Sequence, residues 1–304
     1  MRFSGHESFA CRYAWLPKAY RFVVQDPEAF ADDEKAMVRL GVGKNMVRSI
    51  RFWVQVMGVA TVRDRTFKPT AFGRSVLADN GFDPFLEDMR TLWLLHWKLS
   101  TVVTNPLFAW DFLINKWPYP EFTRAEALGA FIRESQRLNV SHSEATLGQH
   151  LDIFLHTYIS SQGKKNVSED SLDCPLAELE LLQVVGARRV DGSGRDEPVY
   201  AFRREAKPEI TGTLFEYCLH DYWRRYPEEA TLTYRDVALA PGSVGQVLKL
   251  PEDDVRNRLD MYTVPRSDRP FSYQPSAVQG LLSRRNTVER DFLAAVYTEE
   301  TRDG

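Results

Sequence analysis

Basic side chains and one amide recur at short spacing between residues 44 and 51. Lys44, Asn45, Arg48 and Arg51 would share the leading end and one side of an α-helix. Lysine and arginine neutralise phosphates, whereas asparagine and arginine also form paired hydrogen bonds with base edges. The spacing therefore predicts a helix that binds nucleic acid, with Asn45 and Arg48 placed to read bases.

The positive charge continues beyond this helix. Residues 44–74 hold one acidic side chain and seven basic ones, a local net charge of +6 in a chain that carries −3. Such a concentrated field favours phosphate binding through counterion release. The alternative is a packed pair of helices whose arginines are only solvated. We expect DNA contacts from Lys44, Asn45, Arg48, Arg51, Arg63, Arg65 and Lys68.

The elements that would position these side chains follow a helix-turn-helix-wing order. Glu34–Leu40 predicts a short helix that ends at Gly41, and Lys44–Met57 predicts a second helix with one apolar face. Residues 59–68 alternate like two strands joined by a turn, as in a wing. Thr70 is placed to cap a closing helix.

A second candidate for chemistry is the tetrapeptide Gly5-His6-Glu7-Ser8 near the start of the chain. Its imidazole and carboxylate could act as a general base or as metal ligands. The alternative is structural, because Gly5 permits a tight turn, His6 could form a hydrogen-bond clamp and Ser8 could cap a helix. His6 and Glu7 are the predicted catalytic residues.

Other candidates are weaker. Asp152 and His156 lie one helical turn apart, but only two ligands meet there, and His150 points elsewhere. Cys174 could carry sulfur, although acidic neighbours would raise the pKa of its thiol. The sequence contains no established nuclease motif and no phosphate-binding loop, so no metal ligands are assigned.

Composition limits the class of protein. The chain has 304 residues, of which 43% are hydrophobic and 12% aromatic, enough to bury a substantial core in two or three domains. No apolar run approaches the roughly 20 residues that span a bilayer. The first residues lack the apolar core of a signal peptide, and three scattered cysteines suggest no disulfide framework. We expect a cytoplasmic protein that does not enter a membrane.

The pattern of elements predicts a mainly α fold, in which a helical core carries winged-helix or helix-turn-helix modules with short β-hairpin wings. We expect an N-terminal winged-helix DNA-binding domain at 1–82 and a central helical domain at 83–165. A C-terminal α+β domain with wing-like hairpins follows at 166–304. In that last domain, the apolar spacing of Leu176–Val185 predicts a helix.

Three segments carry a family resemblance: FSGHESFACRYAWLPKAY at 3–20, RLGVGKNMVRSIRFWVQVMGV at 39–59 and LDCPLAELELL at 172–182. They resemble a bacterial family classed as a domain of unknown function. Its members are similar to the SspB component of single-stranded DNA phosphorothioate modification. The resemblance covers nearly the whole chain.

The resemblance implies a role in a defence-associated DNA modification system. The implied partners are double-stranded DNA, a cysteine desulfurase, an ATP pyrophosphatase resembling PAPS reductases, and an ATPase. SspB-like proteins are associated with DNA nicking, which would open the backbone for sulfur and would require Mg²⁺ or Mn²⁺. The resemblance supplies no catalytic residue. Since no nuclease motif is present, the alternative is a non-enzymatic regulator or a scaffold that recruits modification partners to DNA.

Overall fold

The computed structural model describes residues 1–64, 66–140, 142–160, 174–189, 196–264, 266, 269–276, 278–285 and 290–298. Within them the chain forms thirteen α-helices and three small antiparallel sheets, so the predicted mainly α class is confirmed. No helix in the described ranges is long and apolar enough to cross a membrane.

The chain divides into two compact units. The first comprises Met1–Leu113 and Trp117–Arg203, and the second comprises Ile114–Lys116 and Arg204–Gly304. The predicted three-domain division stays a prediction, because its second boundary falls in residues 161–173, outside the described residues.

The first unit begins with three helices, a hairpin and a fourth helix. Their order is α1 (Trp15–Gln25), α2 (Asp33–Leu40), α3 (Lys44–Val56), β1 (Ala60–Arg63), β2 (Thr66–Pro69) and α4 (Ala71–Leu77).

Local chemistry explains where these helices begin and end. The Asp32 carboxylate accepts hydrogen bonds from two backbone N–H groups of the first turn of α2, and Gly41 ends this helix at φ 69°. Gly43 precedes α3 and offers no side-chain cap. Thr70 caps α4 by accepting a hydrogen bond from the N–H of Gly73, as predicted. The buried face of α3 includes Trp53, whose side chain has no exposed surface.

The rest of the first unit surrounds an aromatic core. Its elements are α5 (Met89–Ser100), α6 (Phe108–Asn115), β3 (Glu121–Thr123), α7 (Arg124–Arg137), α8 (Glu144–Tyr158), a 3-10 helix (Pro175–Leu179), β4 (Leu182–Arg189) and β5 (Asp196–Phe202). The Trp93, Trp97 and Trp110 side chains are buried here, within the residues 83–165 that were predicted to be helical.

One predicted helix is wrong. Residues 176–185, expected to be helical, contain the end of the 3-10 helix and the start of β4. Glu180 has a left-handed φ of 47°, which ends the 3-10 helix. The residues after it pair with β5, where Val184 lies opposite Tyr200. Sheet pairing therefore prevails over an apolar run whose periodicity alone does not distinguish strand from helix.

The second unit has its own helices and sheet. They are α9 (Gly212–Trp223), β6 (Thr231–Thr233), α10 (Tyr234–Ala238), α11 (Val244–Val247), α12 (Glu252–Asp260), β7 (Phe271–Gln274), β8 (Leu281–Arg284) and α13 (Phe292–Thr298).

The two three-stranded sheets share one connectivity. Their strand orders are β3-β5-β4 and β6-β8-β7, so in each the first strand pairs with the last, which also pairs with the middle one. Each first strand runs directly into a helix through a capping box, formed by Thr123 with Glu126 and by Thr233 with Asp236. The chain thus repeats one strand–helices–hairpin layout.

Candidate nucleic-acid interface

Three of the predicted DNA-binding side chains project from the first half of α3. Lys44, Asn45 and Arg48 are exposed, and the side chains of Lys44 and Arg48 retain 56% and 44% of their accessible surface. The first turn of α3 has no side-chain cap, which leaves its N–H groups available to an anion. This end of α3 combines positive charge with hydrogen-bond donors.

Asp33, at the start of α2, faces the cations of α3. Its carboxylate lies 2.7 Å from Arg51 Nη2, 3.5 Å from Arg48 Nε and 3.9 Å from Lys44 Nζ. Partial burial by itself raises the pKa of Asp33, but the Arg51 hydrogen bond and the three positive charges outweigh burial and lower the pKa below its usual value. One carboxylate thus organises three basic side chains.

Arg51 differs from its neighbours on α3. Its side chain keeps only 29% of its accessible surface, and its guanidinium lies over the Phe30 ring at 5.7 Å from the centroid. Its Nε is buried, and its Nη2 donates to Asp33. Arg51 is therefore placed to support α2 against α3, whereas Lys44 and Arg48 face outwards.

The β1–β2 hairpin carries two further predicted residues on one face. Thr61 pairs with Lys68 and Arg63 with Thr66, so Arg63 and Lys68 lie on the same side of the hairpin. Both are exposed, whereas Phe67 on the other face is buried. Arg65, also predicted to contact DNA, lies outside the described residues.

The sequence also matches a known protein family. A family model described as "Protein of unknown function (DUF4007)" matches residues 3–297. The chain belongs to the DUF4007 family.

Two solved structures resemble this DUF4007 protein over most of its length. One is described as "Magnesium ion-bound SspB crystal structure", with 28% identity and a TM-score of 0.77. The other, "SspB crystal structure", has 27% identity and a TM-score of 0.75. In both cases the matched region covers 92% of this chain and 82% of the SspB chain. The predicted resemblance to SspB is therefore confirmed. A comparison with curated proteins found no match.

The predicted catalytic pair of the DUF4007 protein lies in a buried setting. His6 is only 2% exposed, and its Nε2 lies 3.0 Å from Nδ1 of His150 on α8. Burial lowers the pKa of His6 to about 4, so its imidazole is neutral at pH 7. Glu7 follows at φ 48° and is partly exposed. Ser8, expected as a possible helix cap, instead contacts Gln149 of α8.

The second candidate pair does not come together. Both oxygens of Asp152 accept hydrogen bonds from Arg124, at 2.6 and 2.9 Å, while His156 is exposed. In the described part of the chain, no group of three or more His, Cys, Asp or Glu side chains could hold a metal ion.

The cysteine that the sequence singled out is buried. Cys174 is 3% exposed, so it presents no free surface to a sulfur donor. Neither the role of Asp33 nor the partnership of His150 with His6 is evident in the sequence, where Asp33 is only part of the acidic run at the start of α2. Both depend on contacts between residues distant in sequence.

Proposed function

We propose that this protein is the DNA-binding component of a bacterial DNA phosphorothioate-modification system. The system is inferred from the similarity to SspB structures over 92% of the chain. DNA binding is inferred from the exposed cations of α3 and of the β1–β2 hairpin. The exposed cations carry the proposal, because residues 44–74 have a local net charge of +6 in a chain whose net charge is −3.

In this proposal α2 and α3 form a helix-turn-helix and β1–β2 is its wing. Helix α3 enters the major groove, where Asn45 and Arg48 meet base edges. Lys44, Arg63 and Lys68 contact phosphates and set the position of the protein on the duplex. We interpret the repeated β3-β5-β4 and β6-β8-β7 layouts as two further winged-helix modules.

The further modules are proposed to serve assembly rather than DNA reading. In the middle module, Arg188 of β4 is paired with Glu121 and Glu126, at 3.4 and 2.7 Å. In the last module, the first turn of α12 is acidic. Both features carry less positive charge than α3, whose Lys44, Arg48 and Arg51 share the single carboxylate of Asp33. These modules would recruit the desulfurase, the ATP pyrophosphatase or the ATPase of the same system.

The test of DNA binding is fluorescence anisotropy of labelled duplex and single-stranded oligonucleotides. We expect the wild-type protein to bind the duplex, and Arg48→Ala to weaken that binding by about 1–3 kcal/mol. Arg137→Ala, which removes an exposed arginine of α7, is the control and should leave binding unchanged. Equal binding by all three proteins would contradict the proposed interface.

Nicking of DNA with a divalent ion is the second part of the proposal, supported by the magnesium ion described for one SspB structure. Mg²⁺ prefers oxygen ligands and needs only one or two carboxylates beside water. His6 does not fit as a ligand, because it offers nitrogen rather than oxygen, its Nε2 is engaged by His150 and its unpartnered Nδ1 is buried. Glu7 is a single carboxylate. Glu7 could supply one oxygen ligand and His6 supplies none, so the two residues do not act together as a magnesium site.

The alternative function, a non-enzymatic scaffold or transcriptional regulator that brings partners to DNA, is favoured by this poor fit. Conversion of supercoiled plasmid to open circles by purified protein, with Mg²⁺, Mn²⁺ or EDTA, separates the two. Metal-dependent nicking that Glu7→Gln abolishes would support an enzyme centred on Glu7. DNA binding without nicking would support the scaffold.

A further inference from the structure

The segment Arg2–Phe9, which we call the strap, contacts three helices of the first unit. Its backbone is fixed beside the start of α6, since the N–H of Arg2 donates to Pro106 and the N–H of Phe108 donates to the carbonyl of Arg2. The Phe3 ring stacks on Phe108 with centroids 4.5 Å apart. The strap is therefore an ordered connection and not a loose end.

The same strap holds α3. The carbonyl of Phe9 accepts hydrogen bonds from Trp53 Nε1 at 2.9 Å and from Ser49 Oγ at 3.4 Å. The edge of the His6 imidazole packs against the Phe52 ring, with centroids 5.8 Å apart. A Cβ at Gly5 would lie 2.7 Å from that ring, so the strap approaches α3 as closely as its sequence permits.

His6 connects this contact to α8. The His6 and His150 rings lie nearly parallel, with centroids 5.2 Å apart and an interplanar angle of 14°, which is compatible with an in-plane hydrogen bond between them. His150 has no exposed surface. Burial, helped by the nearby imidazoles His6 and His142, lowers its pKa to about 3. Both rings are thus neutral at pH 7, and each has one N–H and one acceptor nitrogen.

The backbone fixes which nitrogen carries the proton. The N–H of Ala109, in the first turn of α6, donates to Nε2 of His150 at 3.1 Å, so this nitrogen is the acceptor and the His150 proton is on Nδ1. That proton points to Nε2 of His6, which must then be an acceptor, and the proton of His6 is on Nδ1. A hydrogen bond at one ring nitrogen sets the tautomer of the other.

We infer that His6 and His150 form a pair of neutral imidazoles with fixed Nδ1–H tautomers, and that this pair positions the DNA-reading helix α3 by joining the strap to α8. The inference rests on the proposed function of α3. It makes His6 a positioning residue, because its acceptor nitrogen is committed to His150 and does not accept a proton from a substrate.

Tautomers are measured directly by ¹⁵N NMR of the wild-type protein labelled in histidine. We expect two of the six histidines to show Nδ1–H with an unprotonated Nε2, and a through-hydrogen-bond coupling between His150 Nδ1 and His6 Nε2. Both signals should persist from pH 8 to pH 5. A His6 proton on Nε2 would overturn the inference without any variant.

Positioning is tested with two substitutions. In His6→Gln the side-chain carbonyl can accept the His150 proton, whereas in His6→Leu no acceptor remains. Losing a buried hydrogen bond shifts equilibria about five- to tenfold. We therefore expect His6→Leu to accelerate amide exchange in α3 by about that factor and His6→Gln to restore the slow rate. His156→Gln, an exposed histidine of the same α8, is the matched control.

The outcomes separate this inference from the proposed function. DNA affinity should fall about five- to tenfold in His6→Leu and recover in His6→Gln. If the wild-type protein binds no DNA, the proposed function fails, while the tautomers and the α3 exchange rates still decide whether the pair positions α3. Unchanged exchange in a folded His6→Leu protein would contradict the positioning role. If His6→Leu does not fold, folded His6→Gln is compared with His156→Gln. Faster amide exchange of α3 in His6→Gln would contradict the expectation that the glutamine carbonyl replaces the acceptor nitrogen of His6.

Discussion

Asp33 shows at the residue scale how one carboxylate can shape a basic surface. It lies within 4 Å of Arg51, Arg48 and Lys44, the position that a phosphate oxygen would take between the same cations. Lys44 and Arg48 are largely exposed, so a phosphate can displace Asp33 from them. Arg51, held more closely and less exposed, stays with Asp33.

Asp33→Asn should therefore raise the affinity for duplex DNA. The substitution removes a negative charge beside the phosphates and frees Lys44 and Arg48, so we expect a several-fold tighter complex at low salt. It also weakens the Arg51 hydrogen bond, which should lower stability by about 1 kcal/mol. Anisotropy and thermal unfolding measure the two effects. Glu34→Gln, in the same helical turn, controls for charge alone, and an affinity no higher than in this control would contradict the displacement.

The pKa of Asp33 also gives a pH dependence. Because its folded pKa is lowered, its contribution to stability is present above the unfolded pKa of about 3.9 and is lost as pH falls through the folded value. Part of the acid destabilisation below pH 4 should be absent in Asp33→Asn. The unfolding temperature, compared with wild type between pH 5 and pH 3, checks this, and parallel pH curves would contradict it.

At the scale of elements, helices with a side-chain cap or a clear apolar face could be predicted from sequence. Helix α3, the Thr70 cap of α4 and the Thr123 capping box of α7 follow from residue type and spacing. The second half of β4 was predicted as a strand, but its start was predicted as helix, because the apolar run alone does not distinguish the two without the pairing to β5. The strap was predicted only as a possible clamp, and its contacts with α3 and α8 depend on tertiary packing.

The close packing of α4 against the start of the β1–β2 hairpin can be tested by substituting Gly73. A Cβ at Gly73 would lie 2.1 Å from the backbone carbonyl oxygen of Val59, and relief requires α4 to move away from the hairpin. We expect Gly73→Ala to destabilise the protein by at least about 2 kcal/mol, as overpacking does. Chemical denaturation measures the change.

Gly129 of α7 is the matched control for this helix. The nearest atom to a Cβ there is the flexible Arg133 guanidinium at 3.5 Å. Gly129→Ala should be neutral or stabilise by up to about 1 kcal/mol, because alanine has the higher helix propensity. Similar destabilisation by both substitutions would contradict the close approach of α4 to β1.

At the scale of the whole molecule, the −3 net charge conceals a concentration of positive charge in residues 44–74 of the first unit. The repeated strand–helices–hairpin layout was equally hidden, since the two copies share capping boxes and connectivity rather than a readable sequence period. The sequence predicted the helices α2 and α3, the β1–β2 hairpin and the basic residues that they carry. It could not show that Arg51 packs on Phe30 or that His6 is buried, because both facts depend on distant contacts.

The buried imidazoles predict how overall stability responds to pH. The pKa values of His6 and His150 are lowered to about 4 and about 3. Their neutral forms therefore contribute stability that is complete above the unfolded pKa of about 6.5 and is lost as pH falls towards 4. Each imidazole should lower the free energy of unfolding by about 1 kcal/mol for every unit by which the pH falls in that window.

Thermal unfolding between pH 7 and pH 5 checks this expectation. The unfolding temperature should fall with pH in the wild-type protein and fall less in His6→Gln, which lacks one of the titrating groups. His156→Gln removes an exposed imidazole and should follow the wild type. A pH dependence as steep in His6→Gln as in the wild type would show that His6 does not titrate as its burial requires.

The most direct test of the DNA interface is the salt dependence of duplex binding by wild-type protein and by the fourfold alanine variant of Lys44, Arg48, Arg63 and Lys68. A control variant removes four exposed basic residues elsewhere: Lys18, Lys35, Arg133 and Arg137. Each lost phosphate contact lowers the slope of log affinity against log salt by about 0.9. We predict that the slope falls by about 3 in the interface variant, from loss of the Lys44, Arg63 and Lys68 phosphate contacts, and stays near wild type in the control. Equal slopes in all three proteins would contradict the account.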